Sequence, residues 1–280
     1  MVIIIPRKKL WRIISIIIVV FFLNVGLFCH SQFKNRKDRV LVECDAGKHT
    51  NSDIDDRQGK LAIVIDDFGQ DRNGVEEMLS IKKKLTIAVM PFLQFSYKDA
   101  ETAHKRGYEV IVHLPLESTM GRKDWLGPKP VFVSMEDEEV RCIVKDSIEN
   151  IPYAVGLNTH MGSKASEDER IISIILDIIK EEKLYFLDSR ACNNPIAKEI
   201  AEGKGVVCFD RDVFIDGKKP KQYIKEQLNI AIDIALSRGY AIVIGHVGAE
   251  GGKVTAQAIK EMIPEFERRN IELVFVSELI

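Results

Sequence analysis

Two adjacent carboxylates and three histidines are the residues of this chain whose types and spacing are best suited to chemistry. They are Asp66 and Asp67, directly after a run of five apolar residues, and His113, His160 and His246, at the ends of three later apolar runs. Imidazoles and carboxylates bind zinc and other divalent transition metals, and a catalytic metal site keeps one position open for water. These residues therefore predict a hydrolytic metal site. One aspartate would bind the ion, the other would act as a base, and a histidine would protonate the leaving group.

A second group of polar residues follows later apolar runs, and a tryptophan lies in a long connecting segment. The group consists of Ser163, Asp188, Arg190, Arg211 and Asp212. Arginines beside carboxylates could contact a substrate or could form ion pairs that tie loops together. Trp125, within residues 114–134, could offer a flat apolar surface to a sugar ring or could pack that segment against the domain. Both interpretations stay open at this level.

The elements that must position these residues are short apolar runs that alternate with amphipathic stretches. Eight such runs, from 61–65 to 273–276, predict strands, and stretches such as 168–182 and 223–238 predict helices. Repeated strand–helix units form a parallel sheet, and seven to eight of them favour closure into a (β/α) barrel. The carboxyl ends of the strands would then share one face, where function is expected. No glycine-rich phosphate-binding motif follows the first strand, which argues against a nucleotide-binding protein.

The first part of the sequence differs in composition from the rest. Four basic residues within 7–12 precede an almost wholly apolar stretch over 13–28, which predicts a signal peptide or membrane anchor within residues 1–30. Residues 31–59 are polar and of mixed charge, and we interpret them as a tether to one domain at 60–280. The protein is therefore expected outside the cytoplasm, secreted or anchored in the membrane. With 40 basic and 42 acidic residues, the chain gives no reason to expect a nucleic-acid partner.

Six short motifs resemble a known family in sequence and order. IDDFG, HLPLE, NTHMGS, LDSR, DRDVFID and IGH together resemble the divergent, YibQ-like branch of the polysaccharide deacetylases, the group with NodB homology. The resemblance extends over about residues 60–280. It implies an α/β fold, a distorted (β/α) barrel of seven to eight parallel strands. It also implies metal-dependent hydrolysis of N- or O-acetyl groups on a glycan of the cell envelope, with zinc as the expected ion.

The resemblance also implies a role for four of the residues named above. Asp66 matches the catalytic base of the family, and Asp67 matches the aspartate that binds the metal. His113 matches the first metal-binding histidine, and His246 matches the general acid.

The sequence departs from the ordinary members of the family at two places. Their second metal-binding histidine is replaced by Glu117, so either Glu117 or His160 must complete the metal shell, and we expect His160. Their arginine–proline loop is replaced by NTHMGS, so Arg190 or Arg211 would have to orient the base. We assign Arg190 to the catalytic residues. The substrate-binding residues are then expected to be Ser163, Asp188, Arg211, Asp212 and Trp125.

Two other functions fit the same residues. A non-catalytic protein on the same barrel would bind envelope glycan or a cell-wall protein without releasing acetate. A glycosidase would use Asp66 with a second carboxylate and would produce new reducing ends.

Overall fold

The computed structural model describes residues 58–120 and 122–280. The membrane segment predicted within residues 1–30, and all but the last two residues of the predicted tether, lie outside the described residues. No helix within the described residues combines the length and the apolar composition needed to cross a bilayer.

The described residues contain nine strands, and every pairing between them is parallel. The strands are β1 (Gly59–Phe68), β2 (Thr86–Val89), β3 (Glu109–Leu116), β4 (Ala154–Met161), β5 (Tyr185–Asp188), β6 (Cys208–Asp210), β7 (Val213–Phe214), β8 (Tyr240–His246) and β9 (Ile271–Val274).

Helices lie between most of the consecutive strands, as the alternating sequence pattern predicts. The α-helices of the described residues are α1 (Val75–Met78), α2 (Ser96–Lys105), α3 (Asp137–Asn150), α4 (Glu169–Glu181), α5 (Ala197–Lys204), α6 (Lys221–Arg238) and α7 (Gly252–Arg268). Three short 3-10 turns accompany them, at Lys123–Leu126, Ala165–Glu167 and Val276–Leu279.

The strand order closes the sheet into a distorted barrel. Eight strands follow the order β6-β5-β4-β3-β2-β1-β8-β7, and β9 pairs with the first half of β1. The two ends of this order, β6 and β7, are separated in the chain by Arg211 and Asp212 alone, so the Cα atoms of Asp210 and Val213 lie at most about 11 Å apart. The backbone N–H of Arg211 donates to Asp188 of β5, and that of Asp212 donates to Ile242 of β8. The predicted parallel (β/α) barrel is confirmed.

Alternating side chains of β1 pack on the two sides of the barrel wall. Leu61, Ile63 and Ile65 belong to the large apolar cluster that includes the helices, whereas Ala62 and Val64 belong to a smaller cluster inside the barrel. All five are fully buried, and burying one large aliphatic side chain stabilises a fold by about 1.5–3 kcal/mol. A slip of one residue would exchange the two faces. The hydrophobic pattern therefore fixes the register of β1. Asp66 comes two residues after Val64 and so lies on the same inner face.

Candidate metal centre

The carboxyl ends of four strands enclose a cleft of about 780 Å³. β1 supplies Asp66 and Asp67, β3 supplies His113, β4 supplies His160 and β8 supplies His246, and all five residues line the cleft. A larger cavity of about 890 Å³ lies beside the amino ends of β2, β3 and β9, but no histidine or aspartate lines it. The cleft is therefore the candidate site, because it has the residues that can do chemistry.

Three ligand-type atoms from different strands face one another in this cleft. Asp67 Oδ1 lies 3.4 Å from His113 Nε2 and 3.1 Å from His160 Nδ1, and the two nitrogens are 3.2 Å apart. Ligands at about 2.0–2.1 Å from a zinc ion are separated from each other by about 3.3–3.4 Å in tetrahedral geometry and by about 2.8–3.0 Å in octahedral geometry. The spacing of the three atoms therefore fits one transition-metal ion.

Asn158 determines which nitrogen of His113 is available to an ion. The amide Nδ2 of Asn158 donates to Asp66 Oδ1 at 2.8 Å, so the amide oxygen is left to accept from His113 Nδ1 at 2.7 Å. With its proton on Nδ1, the neutral imidazole has its lone pair on Nε2, the atom that faces Asp67. The sheet register explains this arrangement, since His113 and Asn158 are direct partners across β3 and β4.

A backbone carbonyl has the same effect on His160. Its Nε2 lies 3.0 Å from the carbonyl oxygen of Trp125, which can only accept a hydrogen bond. The neutral ring therefore carries its proton on Nε2 and its lone pair on Nδ1, toward Asp67 and His113. Both imidazoles thus present a lone pair to the same point, as metal-binding histidines do.

A buried oxygen of Asp67 without a hydrogen bond indicates that a metal ion fits this site. Asp67 Oδ1 is buried and forms no hydrogen bond within the described residues, although both imidazoles are near. A buried carboxylate oxygen without a partner is costly, and a cation placed between it and two imidazole lone pairs would remove that cost. Asp67, His113 and His160 therefore form a possible site for a divalent ion.

An irregularity near the end of β1, between Ile65 and Phe68, lets two adjacent aspartates serve different purposes. Asp67 has a positive φ of 67°, a conformation that aspartate tolerates better than most residues, so its side chain departs from the inner face on which Asp66 lies. Gly69, with φ of 117°, completes the turn. The backbone N–H of Gly69 donates to the buried carboxylate of Asp99 at 3.1 Å, and Phe95 N donates to Gly69 O. Helix α2 and the residue before it thereby fix the position of both acids.

The surroundings of the two acids shift their pKa values in opposite directions. Burial raises the pKa of Asp66, although His113, His246 and the Asn158 amide act against it. Burial acts on Asp67 too, but His113 and His160 outweigh it and bring the pKa of Asp67 well below its usual range. Burial lowers the pKa of His113, yet Asp66 and Asp67 raise it more. A metal ion and a proton would compete for His113, because an imidazole binds a metal in its neutral form.

A second buried carboxylate, Asp216, holds His246 on the other side of the cleft. His246 Nδ1 lies 2.9 Å from Asp216 Oδ1, and the other oxygen accepts from His246 N and from the Thr255 hydroxyl. Burial lowers the pKa of His246, but the hydrogen bond and charge of Asp216, together with Asp67 and Asp66, raise it to about 9. Near neutral pH this imidazole is protonated and can act as an acid.

Comparison with known proteins agrees with the fold and the motifs. Residues 63–280 match the family described as divergent polysaccharide deacetylase. The chain belongs to this family. The uncharacterized protein YibQ of Escherichia coli (strain K12) is 35% identical over 222 residues, which are 79% of this chain and 67% of YibQ. An uncharacterized protein of Haemophilus influenzae is 29% identical over 189 residues, which are 68% of this chain and 67% of that protein.

A solved structure shares the fold of this chain. The uncharacterized protein ATU2773 from Agrobacterium tumefaciens C58 is 22% identical and superposes with a TM-score of 0.72, over 80% of this chain and 90% of that one. At this level of identity the likeness concerns the fold.

Glu117, which replaces the second metal histidine of ordinary family members, forms structural contacts outside the cleft. Glu117 does not line the cleft. Its Oε1 pairs with Lys164 Nζ at 2.8 Å, and its Oε2 accepts from the backbone N–H of Val133 at 2.8 Å. Glu117 thereby ties the long connection after β3 to the turn after β4. The structure brings His160, and not Glu117, to the other two ligand atoms.

Two of the predicted substrate-binding residues line the cleft, namely Arg211 and Trp125. Arg211 Nε donates to Ser189 O at 2.7 Å, and its guanidinium carbon lies 5.1 Å from the ring centre of Phe214. That ring in turn lies 4.7 Å from the ring of His246. Arg211 is therefore fixed near the acids by a backbone carbonyl and an aromatic ring.

Four other predicted site residues lie outside the lining of the cleft. Arg190 is 3.6 Å from Asp210 and is 45% exposed, and Asp188 accepts from the backbone N–H of Arg190. Asp212 accepts from the Ile242 backbone and from Arg238. The fourth, Ser163, hydrogen-bonds Ser118 and Thr119. These side chains hold loops together in the structure.

Asn158 and Asp216 are site residues that were not singled out from the sequence. Each lies within a motif that carries the family resemblance, Asn158 in NTHMGS and Asp216 in DRDVFID. The motifs were therefore the available signal, but only the structure shows that these two residues bond the catalytic candidates.

Proposed function

We propose that this divergent deacetylase is a metal-dependent carbohydrate deacetylase that removes N- or O-acetyl groups from glycan of the cell envelope. The observation that carries the proposal is the meeting of three ligand atoms, from Asp67, His113 and His160, in one cleft. A buried carboxylate and a protonated imidazole lie beside them in the same cleft, at Asp66 and His246. Membership of the family supports a carbohydrate substrate.

Asp67, His113 and His160 are the residues that would hold the ion, and their two nitrogens and one oxygen suit zinc. When bound, the ion supplies Lewis acidity, which polarises the acetyl carbonyl and lowers the pKa of a coordinated water.

Asp66 has the properties of the general base. It is buried on the inner face of the barrel, its pKa is raised, and the Asn158 amide holds its Oδ1. Its carboxylate would accept the proton of the attacking water. Arg211 lines the cleft and interacts with the charge of Asp66, so it supports the ionised form of the base.

His246 has the properties of the general acid. Asp66 and His246 are direct partners across β1 and β8, so the two groups stand side by side in the cleft. Asp216 keeps a proton on Nδ1 and stabilises the imidazolium, which leaves Nε2–H to protonate the departing amine or alkoxide. Base and acid thus come from neighbouring strands.

We place this activity outside the cytoplasm, because the basic and apolar residues within 7–28 have the composition of a signal peptide or anchor. The glycan of the cell envelope is then the substrate within reach.

Acetate release tests the proposal. The full chain, loaded with zinc, is incubated with tetra-N-acetylchitotetraose and separately with O-acetylated xylan, and acetate is measured. We expect release from at least one substrate, and a fall of more than about 100-fold in Asp66→Asn, since general acid–base catalysis contributes about 10²–10⁴-fold. Glycan binding without acetate release, unchanged in Asp66→Asn, would identify a binding protein instead. New reducing ends without acetate would identify a glycosidase.

A further inference from the structure

One short turn contacts both the metal centre and the cleft. The 3-10 turn Lys123–Leu126 lies within the long connection after β3. The carbonyl oxygen of Trp125 accepts the hydrogen bond from His160 Nε2 at 3.0 Å, whereas the Trp125 side chain lines the cleft and is 58% exposed. The next residue, Leu126, is 3% exposed and anchors the turn by its burial.

The two halves of this connection are attached to the barrel differently. Its base is tied down by Glu117 to Lys164 and by Ser118 to Ser163. Its tip, Arg122–Gly127, is closed on itself by hydrogen bonds from Trp125 N to Arg122 O and between the Arg122 and Asp124 side chains. Within the described residues, the hydrogen bond from His160 Nε2 to the Trp125 carbonyl joins the tip to β4 of the barrel.

We propose that this turn couples metal binding to glycan binding, so that each ligand raises the affinity for the other. The inference rests on the proposed function, because it takes His160 as a metal ligand and a sugar as the occupant of the cleft. An imidazole that gives its Nδ1 lone pair to an ion needs an acceptor for Nε2–H. Here the acceptor is the backbone carbonyl of Trp125, the residue whose indole lines the cleft.

The physical basis of the coupling is the shared position of the turn. A sugar ring packed on the indole restricts the turn, and the restricted turn keeps the Trp125 carbonyl in place for His160. An ion on His160 restricts the same carbonyl from the other side. The first ligand to bind therefore reduces the conformational entropy that is lost when the second one binds. By thermodynamic linkage the effect is the same in both directions.

The tryptophan content of the chain gives a direct test. The chain has two tryptophans, so the full chain with Trp11→Phe reports on Trp125 alone. Zinc affinity is measured by competition with a chromophoric chelator, and Trp125 emission is followed in the same titration. We expect zinc to change the emission, and tetra-N-acetylchitotetraose to raise the zinc affinity by roughly fivefold or more, the lower end of typical coupling.

Two substitutions separate the backbone of the turn from its side chain. Leu126→Ala releases the anchor of the carbonyl, and we expect zinc affinity to fall by about 10- to 100-fold, as for the loss of an outer hydrogen-bond partner. Leu279→Ala is the matched control, because Leu279 lies in another 3-10 turn, against the apolar cluster inside the barrel, and should leave zinc affinity unchanged. Trp125→Ala keeps the carbonyl, so zinc should bind as before, but the oligosaccharide should no longer strengthen its binding.

Three results would overturn the coupling. The first is that Leu126→Ala and Leu279→Ala bind zinc with equal affinity. The second is that the oligosaccharide does not change the zinc affinity of a protein that releases acetate from this oligosaccharide. The third is that the oligosaccharide raises the zinc affinity of Trp125→Ala as much as that of the unaltered chain. Circular dichroism of Leu126→Ala verifies that the barrel is intact, and the Trp125→Ala arm does not depend on that variant. A full chain that binds no divalent ion would instead contradict the proposed function itself.

Discussion

The ends of β1, β3, β4 and β8 and the ends of β5 and β6 both carry aspartates, but the two regions use them in different ways. In the first region, Asp67 Oδ1 has no hydrogen bond within the described residues and faces two imidazoles across a cleft. In the second, Asp188 accepts from a backbone N–H and Asp212 accepts from a backbone N–H and an arginine. The first region therefore leaves polar atoms available to a ligand. In the second region the carboxylates hydrogen-bond the protein's own loops.

A shift of one residue along the strand explains much of the difference. Asp66 follows Ala62 and Val64 on the inner face of β1, and His246 follows Ile242 and Ile244 on that of β8. In β5 the inner position nearest the strand end is taken by the apolar Leu187. Asp188 comes one residue later and so falls on the other face. A charged residue that continues the inner face at a strand end is therefore a good site candidate. Asp67 does not continue that face, and it reaches the cleft through its positive φ.

The largest contrast is expected for the metal ligands. His113→Ala and His160→Ala each remove a proposed ligand, and zinc affinity should fall by more than about 100-fold, beyond the usual effect of an outer partner. Glu117→Gln should bind zinc like the unaltered chain, because Glu117 bonds Lys164 and Val133 away from the cleft. Zinc per chain after dialysis measures this. Zinc loss in Glu117→Gln with retention in His160→Ala would reverse the assignment.

The next effect concerns the acid. The pKa of His246, at about 9, is raised above the ordinary value, with Asp216 as its direct partner. The acid form is thus present at neutral pH and is lost as pH rises through that value. Asp216→Asn lowers the pKa, so the alkaline limb of kcat should move to lower pH, and kcat at pH 8 should fall roughly 10- to 100-fold. Asp212→Asn, the same change in the second region, should leave the pH profile in place. A profile unchanged in Asp216→Asn would remove His246 from this role.

The two arginines should differ by a smaller factor. Arg211 lines the cleft and interacts with the charge of Asp66, whereas Arg190 is 45% exposed and pairs with Asp210. We expect Arg211→Gln to lower kcat/KM by roughly tenfold, which corresponds to about 1.4 kcal/mol. Arg190→Gln should stay within about twofold. Steady-state kinetics on one acetylated substrate decide between them, and the opposite order would assign the catalytic arginine to Arg190.

The smallest effect is one of stability without loss of chemistry. Asp212 accepts hydrogen bonds from the Ile242 backbone and from Arg238 beside the link that closes the barrel. Asp212→Asn should lower the free energy of unfolding by about 1–2 kcal/mol, the typical effect of weakening such bonds. Urea denaturation measures this change. Unaltered stability combined with reduced kcat/KM would show that Asp212 contacts the substrate.

The barrel and the meeting of the acids with the histidines could be predicted from the sequence, because both follow from periodicity. Apolar runs alternating with amphipathic stretches predict parallel strands, and parallel strands bring their carboxyl ends to one edge. The sequence therefore predicts that Asp66, His113 and His246 lie near each other.

The supporting residues could not be predicted, because their roles depend on register and backbone conformation. Asn158 reaches Asp66 and His113 only because β3 and β4 pair in one register. Asp216 follows β7, a strand of two residues that is too short to be predicted from its apolar residues. The Trp125 carbonyl is a backbone atom, to which no residue pattern points. For Arg190, the sequence could not show that its side chain would turn to Asp210.

The most direct test of the central claim is a crystal structure of the full chain grown with zinc, with anomalous scattering measured at the zinc edge. We expect one strong peak bonded by Asp67 Oδ1, His113 Nε2 and His160 Nδ1, with Glu117 still paired to Lys164. The absence of a peak between these three atoms, or a peak bonded by Glu117 in place of His160, would contradict it.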